Sequence, residues 1–595
     1  QITNWLSLRA QVSTDITDVK QTLKYESEQP NSLYDPNGSF QSINRRYDIV
    51  YGDVMLNFNY NINRFDIAAT VGWTGRYENM NNMRVSTNGG LVTENWFDLN
   101  ASRYTPSSTL QRMELLKTGY MGTLSLGWDN YLFLELTGRQ ERSSTLKDQS
   151  FFYPSTNLSF LFTQAFHMPS WWNYGKLRLS YGIVGNAPET YTANIVYEQG
   201  SDNGFTWNTI PSSWGNADIR PEKKYEYEIG LESKFLNNRL GIDISYYNNR
   251  VKDQILSTPQ PSTSGVKNVL MNVGEVANRG WDISISATPI LTRDFRWDLT
   301  ANYGVYKNKV VKLADGVPYL EILNSGGSGI KIQAVEGQPM GDIYAQVPQV
   351  NENGEYLVSD KGLYLNQTEL QKVGNINPAG VGGLFNSFSY KNVFLDFSID
   401  FRIGGDVINE MNQYATAVGL TPESLKYRDT EHGGLSYYYP GDNNSSGIPV
   451  QVDPSTGAGP NGEIIYHDGI ILPGVVASTG ERNTRIIPAG YYYNTTYNWG
   501  TEAEQLTYRH SVFDNSYVKL RELTIGYQFP EKMISKLGLG RLSVSVFGRN
   551  LFYFYKALKN YDAESSVGTS WTNQATVGSS TTATRSFGVS LRASF

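Results

Sequence analysis

"SFGVSLRASF", Ser586 to Phe595, alternates without a break. Phe587, Val589, Leu591, Ala593 and Phe595 fall on one face, and Gly588, Ser590, Arg592 and Ser594 on the other. A period of two is that of a β-strand, and apolar residues opposite small or polar ones mean that the two faces meet different media. In a soluble domain the apolar face would meet a core. In an outer-membrane barrel it would meet lipid, with the polar face lining a wet lumen. One strand fits both descriptions, so the choice rests on the rest of the chain.

Of 595 residues, 39 % are hydrophobic and 18 % charged, so the chain is polar without being heavily charged. Its 41 Tyr and 56 Gly suit strands joined by polar turns. The absence of Cys removes disulfides, thiol catalysis and Cys-based metal sites. A net charge of −7, with no basic run, argues against a nucleic-acid partner, because nothing is available to displace counterions from phosphate. No stretch approaches the length of a transmembrane helix; the densest apolar runs, such as "GIILPGVV" (Gly469 to Val476), are short. A barrel is still allowed, because each of its strands needs about 9–11 alternating residues. The chain opens at Gln1 in "QITNWLSLRAQV", without Met or a signal-like segment, and is expected to be a product of processing or truncation.

Alternation recurs along the whole length. Apolar faces include Leu240, Ile242, Ile244 and Tyr246; Trp281, Ile283, Ile285 and Ala287; and Phe295, Trp297, Leu299, Ala301 and Tyr303. Others are Leu124, Leu126 and Trp128, then Leu132, Leu134 and Leu136, and Leu542, Val544 and Val546. About 16 strands of membrane-crossing length are expected. Short links near Asn61, at Trp128–Asn130, Leu236–Asn238, Ile290–Asp294 and Tyr390–Asn392 alternate with long ones near 17–42, 80–114, 186–222, 250–278, 307–382, 405–516 and 556–585. Outer-membrane barrels place tight turns in the periplasm and long loops outside. Strict alternation therefore orients every strand and puts Phe595 at the periplasmic face. Trp128, Tyr131, Phe295 and Trp297 cluster beside the short turns, where an interfacial girdle belongs. The expected fold is all-β, a transmembrane antiparallel barrel.

Several stretches resemble the SusC/RagA class of TonB-dependent outer-membrane transporters of Bacteroidetes. They are "KLRLSYGIVGN" (Lys176 to Asn186), "IRPEKKYEYEIGLESKFLNNRLGIDISYYNNRVKDQIL" (Ile219 to Leu256) and "NVGEVANRGWDISISATPI" (Asn272 to Ile290). In the same order follow "VGNINPAGVGGLFNSFSYKNVFLDFSIDFRIGGDVIN" (Val373 to Asn409), "YVKLRELTIGYQFP" (Tyr517 to Pro530) and "LSVSVFGRNLFYF" (Leu542 to Phe554). The resemblance implies a barrel of about 22 strands with an N-terminal plug and a TonB box. Residues 1–595 are accordingly expected to be the C-terminal majority of such a barrel, without signal peptide, TonB box, plug or first strands. A complete small barrel is the alternative. The resemblance also gives Phe595 a role as the aromatic that barrel-assembly machinery recognises.

Most motifs have ordinary readings. In "NVGEVANRGWD", Gly274 and Gly280 shape a loop entering a strand. "LNSGGSGIKI" (Leu323 to Ile332) lacks the GK[ST] ending of a phosphate loop. "NENGE" and "GDNN" lack the acidic density of a calcium loop, and His167, His432, His467 and His510 are scattered, so no metal or cofactor is expected. No G-x-S-x-G or comparable constellation suggests an enzyme. Three loops mix aromatic rings with short polar side chains: Gly200–Asn216 with Trp207 and Trp214, Gly433–Gly447 with Tyr437, Tyr438, Tyr439 and Asp442, and Ala489–Gly500 with Tyr491, Tyr492 and Tyr493. Rings give contact area at low entropic cost while amides and hydroxyls bond polar ligands, so these nine residues are the ligand-binding candidates. The ordinary alternative is that the loops pack on one another or on a partner. The resemblance implies import of an oligosaccharide or oligopeptide, energised through TonB across the lipid bilayer. It also implies a SusD-like surface lipoprotein as lid, in a dimer of such pairs. A passive porin and a surface adhesin or structural barrel are the competing functions.

Overall fold

The computed structural model describes residues 1–28, 35, 37–147, 149–202, 204–260, 263, 265–325, 329–441, 447–498, 507–566, 568, 570–578 and 583–594. Asp442 and Phe595, both singled out above, lie outside the described residues. Sixteen strands form one antiparallel sheet in which each is bonded to the next along the chain. They are β1 (Leu6–Tyr25), β2 (Ser39–Ile62), β3 (Phe65–Leu91), β4 (Ser102–Trp128), β5 (Leu132–Ser143), β6 (Ser150–Phe160), β7 (Trp172–Asn186) and β8 (Glu222–Phe235). There follow β9 (Leu240–Lys252), β10 (Glu275–Leu291), β11 (Phe295–Lys312), β12 (Gly380–Tyr390), β13 (Val393–Ile403), β14 (Tyr517–Gln528), β15 (Arg541–Lys556) and β16 (Ser586–Ser594). The chain divides into two compact units, residues 1–233 with 245–277, and residues 234–244 with 278–595.

In the first unit, register sorts the side chains by polarity. Leu56, Val71 and Gly122 face one way with Val54, Trp73 and Tyr120, and with Tyr60, Ile67, Leu126 and Leu134. The opposite face carries Asn57, hydrogen-bonded by the Thr70 hydroxyl at 3.0 Å, and Glu135, which accepts from Asn157 at 3.2 Å. At the short-turn end an unbroken series of rings runs across the strands. Phe65 stacks on Trp128 at 6.5 Å, Trp128 meets Tyr131 at 5.3 Å, and Tyr131 meets Phe160 at 6.2 Å. The tight turns themselves use αL conformations that Asn and Asp tolerate better than other side chains. Asn63 has φ 54°, Asp129 51° and Asn130 59°.

Two expectations about links need correction. Half of residues 17–42 and most of 80–114 are strand, since β1 runs to Tyr25, β2 starts at Ser39, β3 runs to Leu91 and β4 starts at Ser102. These outer halves read as loops because both of their faces are polar. Asn79, Asn81 and Asn82 of β3 pair with Asp48, Arg46 and Arg45 of β2, so amphipathic alternation fades while the ladder continues. Length is also not strictly alternating. The link 144–149 on the long-loop side is brief, while 161–171 on the short-turn side carries a helical turn, Phe162–Ala165, whose Phe162 packs edge-on against Trp172 at 5.3 Å. Parity survives both corrections: β16 ends on the side of the tight turns.

In the second unit the same segregation holds. Phe587, Val589 and Leu591 of β16 are 73 %, 72 % and 68 % exposed, opposite Gly548, Val546 and Val544 of β15. Trp297 stacks on Phe388 at 5.4 Å, and Phe388 on Phe397 at 6.1 Å. Beneath these rings, on the apolar face, lies a buried amide: Asn386 stands opposite Leu299 and Phe397 and is 4 % exposed. The Trp297 indole N–H donates to its Oδ1 at 3.1 Å. Trp297→Phe keeps the stacking but leaves that oxygen buried without its donor, so a loss of about 1–3 kcal/mol is expected. Urea unfolding of the variant in lipid vesicles measures it, and an unchanged midpoint would show that the amide does not depend on Trp297.

Candidate ligand-binding site

The link 404–516 builds its own small structure in the second unit. Strands Leu435–Tyr438, Val450–Gln451, Tyr466–Ile470 and Ile487–Pro488 make a four-stranded sheet, and helix Ala489–Tyr497 follows directly from the last of them. Its packing decides what each tyrosine can do. Tyr437 is 1 % exposed and donates its hydroxyl to Asp468 at 3.1 Å. Burial, with Asp468 beside it, pushes that hydroxyl far above its usual pKa, so it stays a neutral donor. Tyr439 is buried edge-on against Tyr437 at 5.5 Å. Tyr493 is also buried, donates to the Glu423 carbonyl at 2.8 Å and is pushed up to about 12 by burial. Tyr492 packs on the cluster of Leu363, Ile470, Leu472 and Ile487, and Tyr438 pairs with Val450 and is half-buried. Behind the helix His510 stacks on Tyr497 at 4.5 Å, and burial lowers its pKa to about 4.

Two of the candidates meet at one opening. A cavity of about 450 Å³ is lined by Tyr439, Tyr491, Ile486, Ile487, Pro449, Pro488, Gly447, Lys361 and Arg485. Tyr439 and Tyr491, from two different aromatic loops, stand in its wall together. Tyr437, Tyr438, Tyr492 and Tyr493 are outside that lining and support the fold of the loops. Arg485 and Lys361 were missed in the sequence because an isolated cation within a polar loop carries no periodic signal.

In the first unit, Trp207 and Trp214 lie on the link 187–221. Trp207 is 46 % exposed on the hairpin Glu198–Asp202 with Phe205–Thr209, its ring lying over Gly200 opposite it. A β-carbon at Gly200 would come within 2.7 Å of that ring, so glycine is what lets Trp207 lie flat. Trp214 is half-buried and meets Tyr197 edge-on at 5.8 Å.

A second long link is anchored by charge. Lys519 on β14, with a side chain 2 % exposed, donates to Glu564 of the link 557–585 at 2.6 Å. Arg521 donates to the same carboxylate at 2.7 and 2.8 Å, to Asn550 of β15 at 3.0 Å and to Asp400 of β13 through its Nε at 3.2 Å. Tyr553 donates to Asp562 at 2.9 Å. Burial alone would raise the pKa of Glu564, but the hydrogen bonds and charges of Arg521 and Lys519 together outweigh it and hold the carboxyl down to about 2.

Comparison with known proteins places this architecture. Residues 2–343 match the family model described as "TonB dependent receptor-like, beta-barrel". The TonB-dependent receptor P3 of Formosa agariphila is 25 % identical over 494 residues, covering 76 % of this chain and 42 % of its own length. The TonB-dependent receptor SusC of Bacteroides thetaiotaomicron is 30 % identical over 247 residues, 38 % of this chain and 24 % of its own. The chain thus spans less than half the length of these relatives. Among solved structures, the RagAB peptide transporter aligns at a TM-score of 0.68 and 18 % identity, over 95 % of this chain and 58 % of that one. The RagAB peptide importer in its "open-open" state aligns at 0.71 and 18 %, over 100 % and 60 %. At that identity they bear on fold, and the fold is that of a β-barrel.

Proposed function

The chain belongs to the TonB dependent receptor-like β-barrel family, and from that premise we propose that it forms most of the wall and outer loops of an outer-membrane importer driven through TonB. The observation that carries the reading is the segregation of faces: an exposed apolar face with rings at the tight-turn end, and a polar face tied together by hydrogen bonds. Such a sheet suits a bilayer on one side and water on the other. Coverage of 58–60 % of the RagAB chains supports residues 1–595 as the larger part of a barrel of about 22 strands. A SusD-like surface lipoprotein would close over the long links, as the likeness to SusC suggests, and two such pairs would associate. The cargo would be an oligopeptide or oligosaccharide, held by Tyr439 and Tyr491 with the other aromatic loops, Trp207 and Trp214 included. The chain would carry no covalent chemistry.

The test is energetic. Cells expressing the full-length protein should accumulate a fluorescent oligopeptide or oligosaccharide and lose that uptake when TonB is deleted. Uptake that persists without TonB, together with steady conductance in planar bilayers, would favour a passive porin.

A further inference from the structure

The lining of the 450 Å³ cavity has a chemical bias. Ile486, Ile487, Pro449 and Pro488 form an apolar wall, Tyr439 and Tyr491 add ring faces, and the charged members are Arg485 and Lys361. No carboxylate or side-chain amide stands among the described lining residues. Sugars are gripped chiefly through hydroxyls bonded to carboxylates and amides, so this wall suits an apolar group better than a glycan. A guanidinium in such a wall asks for an anion beside it.

Arg485 is the better-defined of the two. It has no ion-pair partner among the described residues, although the protein as a whole is acidic. Its backbone N–H is held by Asn483 at 3.0 Å, and the Asn483 side chain is itself fixed on the Leu472 carbonyl at 2.8 Å. Two residues on, Ile487 pairs with Ile470 in the small sheet. Gly362, at φ 86°, packs beside this segment: a β-carbon there would come within 2.8 Å of Ile487 and touch the Arg485 stem at 3.4 Å. The backbone of this arginine is therefore held by the Asn483 side chain and by the strand that begins two residues on. Its planar fork matches a carboxylate bidentately, which an ammonium does not. The volume falls within the range of small-ligand sites, roughly 300–1,000 Å³.

We propose that this cavity receives the C-terminal residue of an oligopeptide, its carboxylate on the Arg485 guanidinium and its apolar side chain against Ile486, Pro449 and the Tyr491 ring. The proposal names the cargo of the import reading and rests on it. Binding, however, needs neither TonB nor a proton gradient, so the two can fail separately. Calorimetry on the full-length protein in detergent would compare three probes: the tripeptide Ala-Ala-Leu as free acid, its C-terminal amide, and trigalacturonate. The free acid is expected to bind at least tenfold more tightly than the amide, and Arg485→Gln to bring the acid down to the level of the amide. The acid-to-amide ratio needs no variant, so a poorly folding Arg485→Gln protein does not rescue the proposal. Equal affinity of acid and amide, binding of trigalacturonate without the tripeptide, or no binding of any probe would each overturn it. Loss of TonB dependence with the acid preference intact would instead strike at the import reading.

Discussion

Val589→Arg should remove most of the folded protein from lipid bilayers. Val589 lies one residue before the midpoint of β16, 72 % exposed on the apolar face and paired with Val546, itself 57 % exposed. A cation at the midplane of a transmembrane strand costs about 2–4 kcal/mol. The neighbouring Ser590 faces the other way, opposite Ser545. Ser590→Arg should therefore cost less than about 1 kcal/mol, since a wet face hydrates the guanidinium. Refolding both variants into vesicles across a urea series, with heat-modifiable gel mobility as the readout, compares them directly. Equal loss for the two would mean that the faces are not lipid and water.

Glu564→Gln should release the link 557–578. The substitution leaves the Lys519 ammonium enclosed without a carboxylate, the situation in which breaking a buried pair costs about 3–5 kcal/mol. Because the Glu564 side chain is a third exposed, solvent screening discounts this to about 2 kcal/mol, or roughly thirtyfold in the opening equilibrium. Hydrogen exchange across the link, at pH 7, is the measurement, and unchanged protection would show that the anchor is redundant. The pH dependence has a fixed sign. The carboxyl is held down to about 2 from an ordinary 4.5, so its contribution is complete above about 4.5 and disappears as the pH falls through about 2.

The strands were legible in the sequence wherever their two faces meet different media. Phe295, Trp297 and Leu299 announce β11 because lipid and water sort them. The outer halves of β2 and β3 were not legible, because Asn81 and Arg46 pair where both faces are wet and the hydrophobic pattern has no reason to alternate. One hidden feature did leave a trace. In "VKLRELTIGY" the apolar residues fall at 518 and 520 and then at 523, 525 and 527, a slip of phase. The ladder shows irregularities at that place, between Ser398 and Ile399 on one side and Leu520 and Glu522 on the other. That bulge puts Arg521 within reach of both Asp400 and Glu564. The aromatic loops were legible as a composition but not as a site. Three consecutive tyrosines cannot say which ring is buried, and Tyr437 holds the small sheet together while Tyr439 and Tyr491 line an opening.

The excess length of β3 and β4 has a consequence for what the cell surface presents. At 27 residues each they extend for about 90 Å. Tilted by about 40°, such strands still rise roughly 70 Å, well over twice the ~25 Å apolar band of an outer-membrane barrel. On the import reading this hairpin is a mast rather than a rim. Its tip, residues 92–101, would stand clear of the lipid headgroups on a hydrogen-bonded ladder, a rigid and accessible epitope at which antibodies could recognise intact cells.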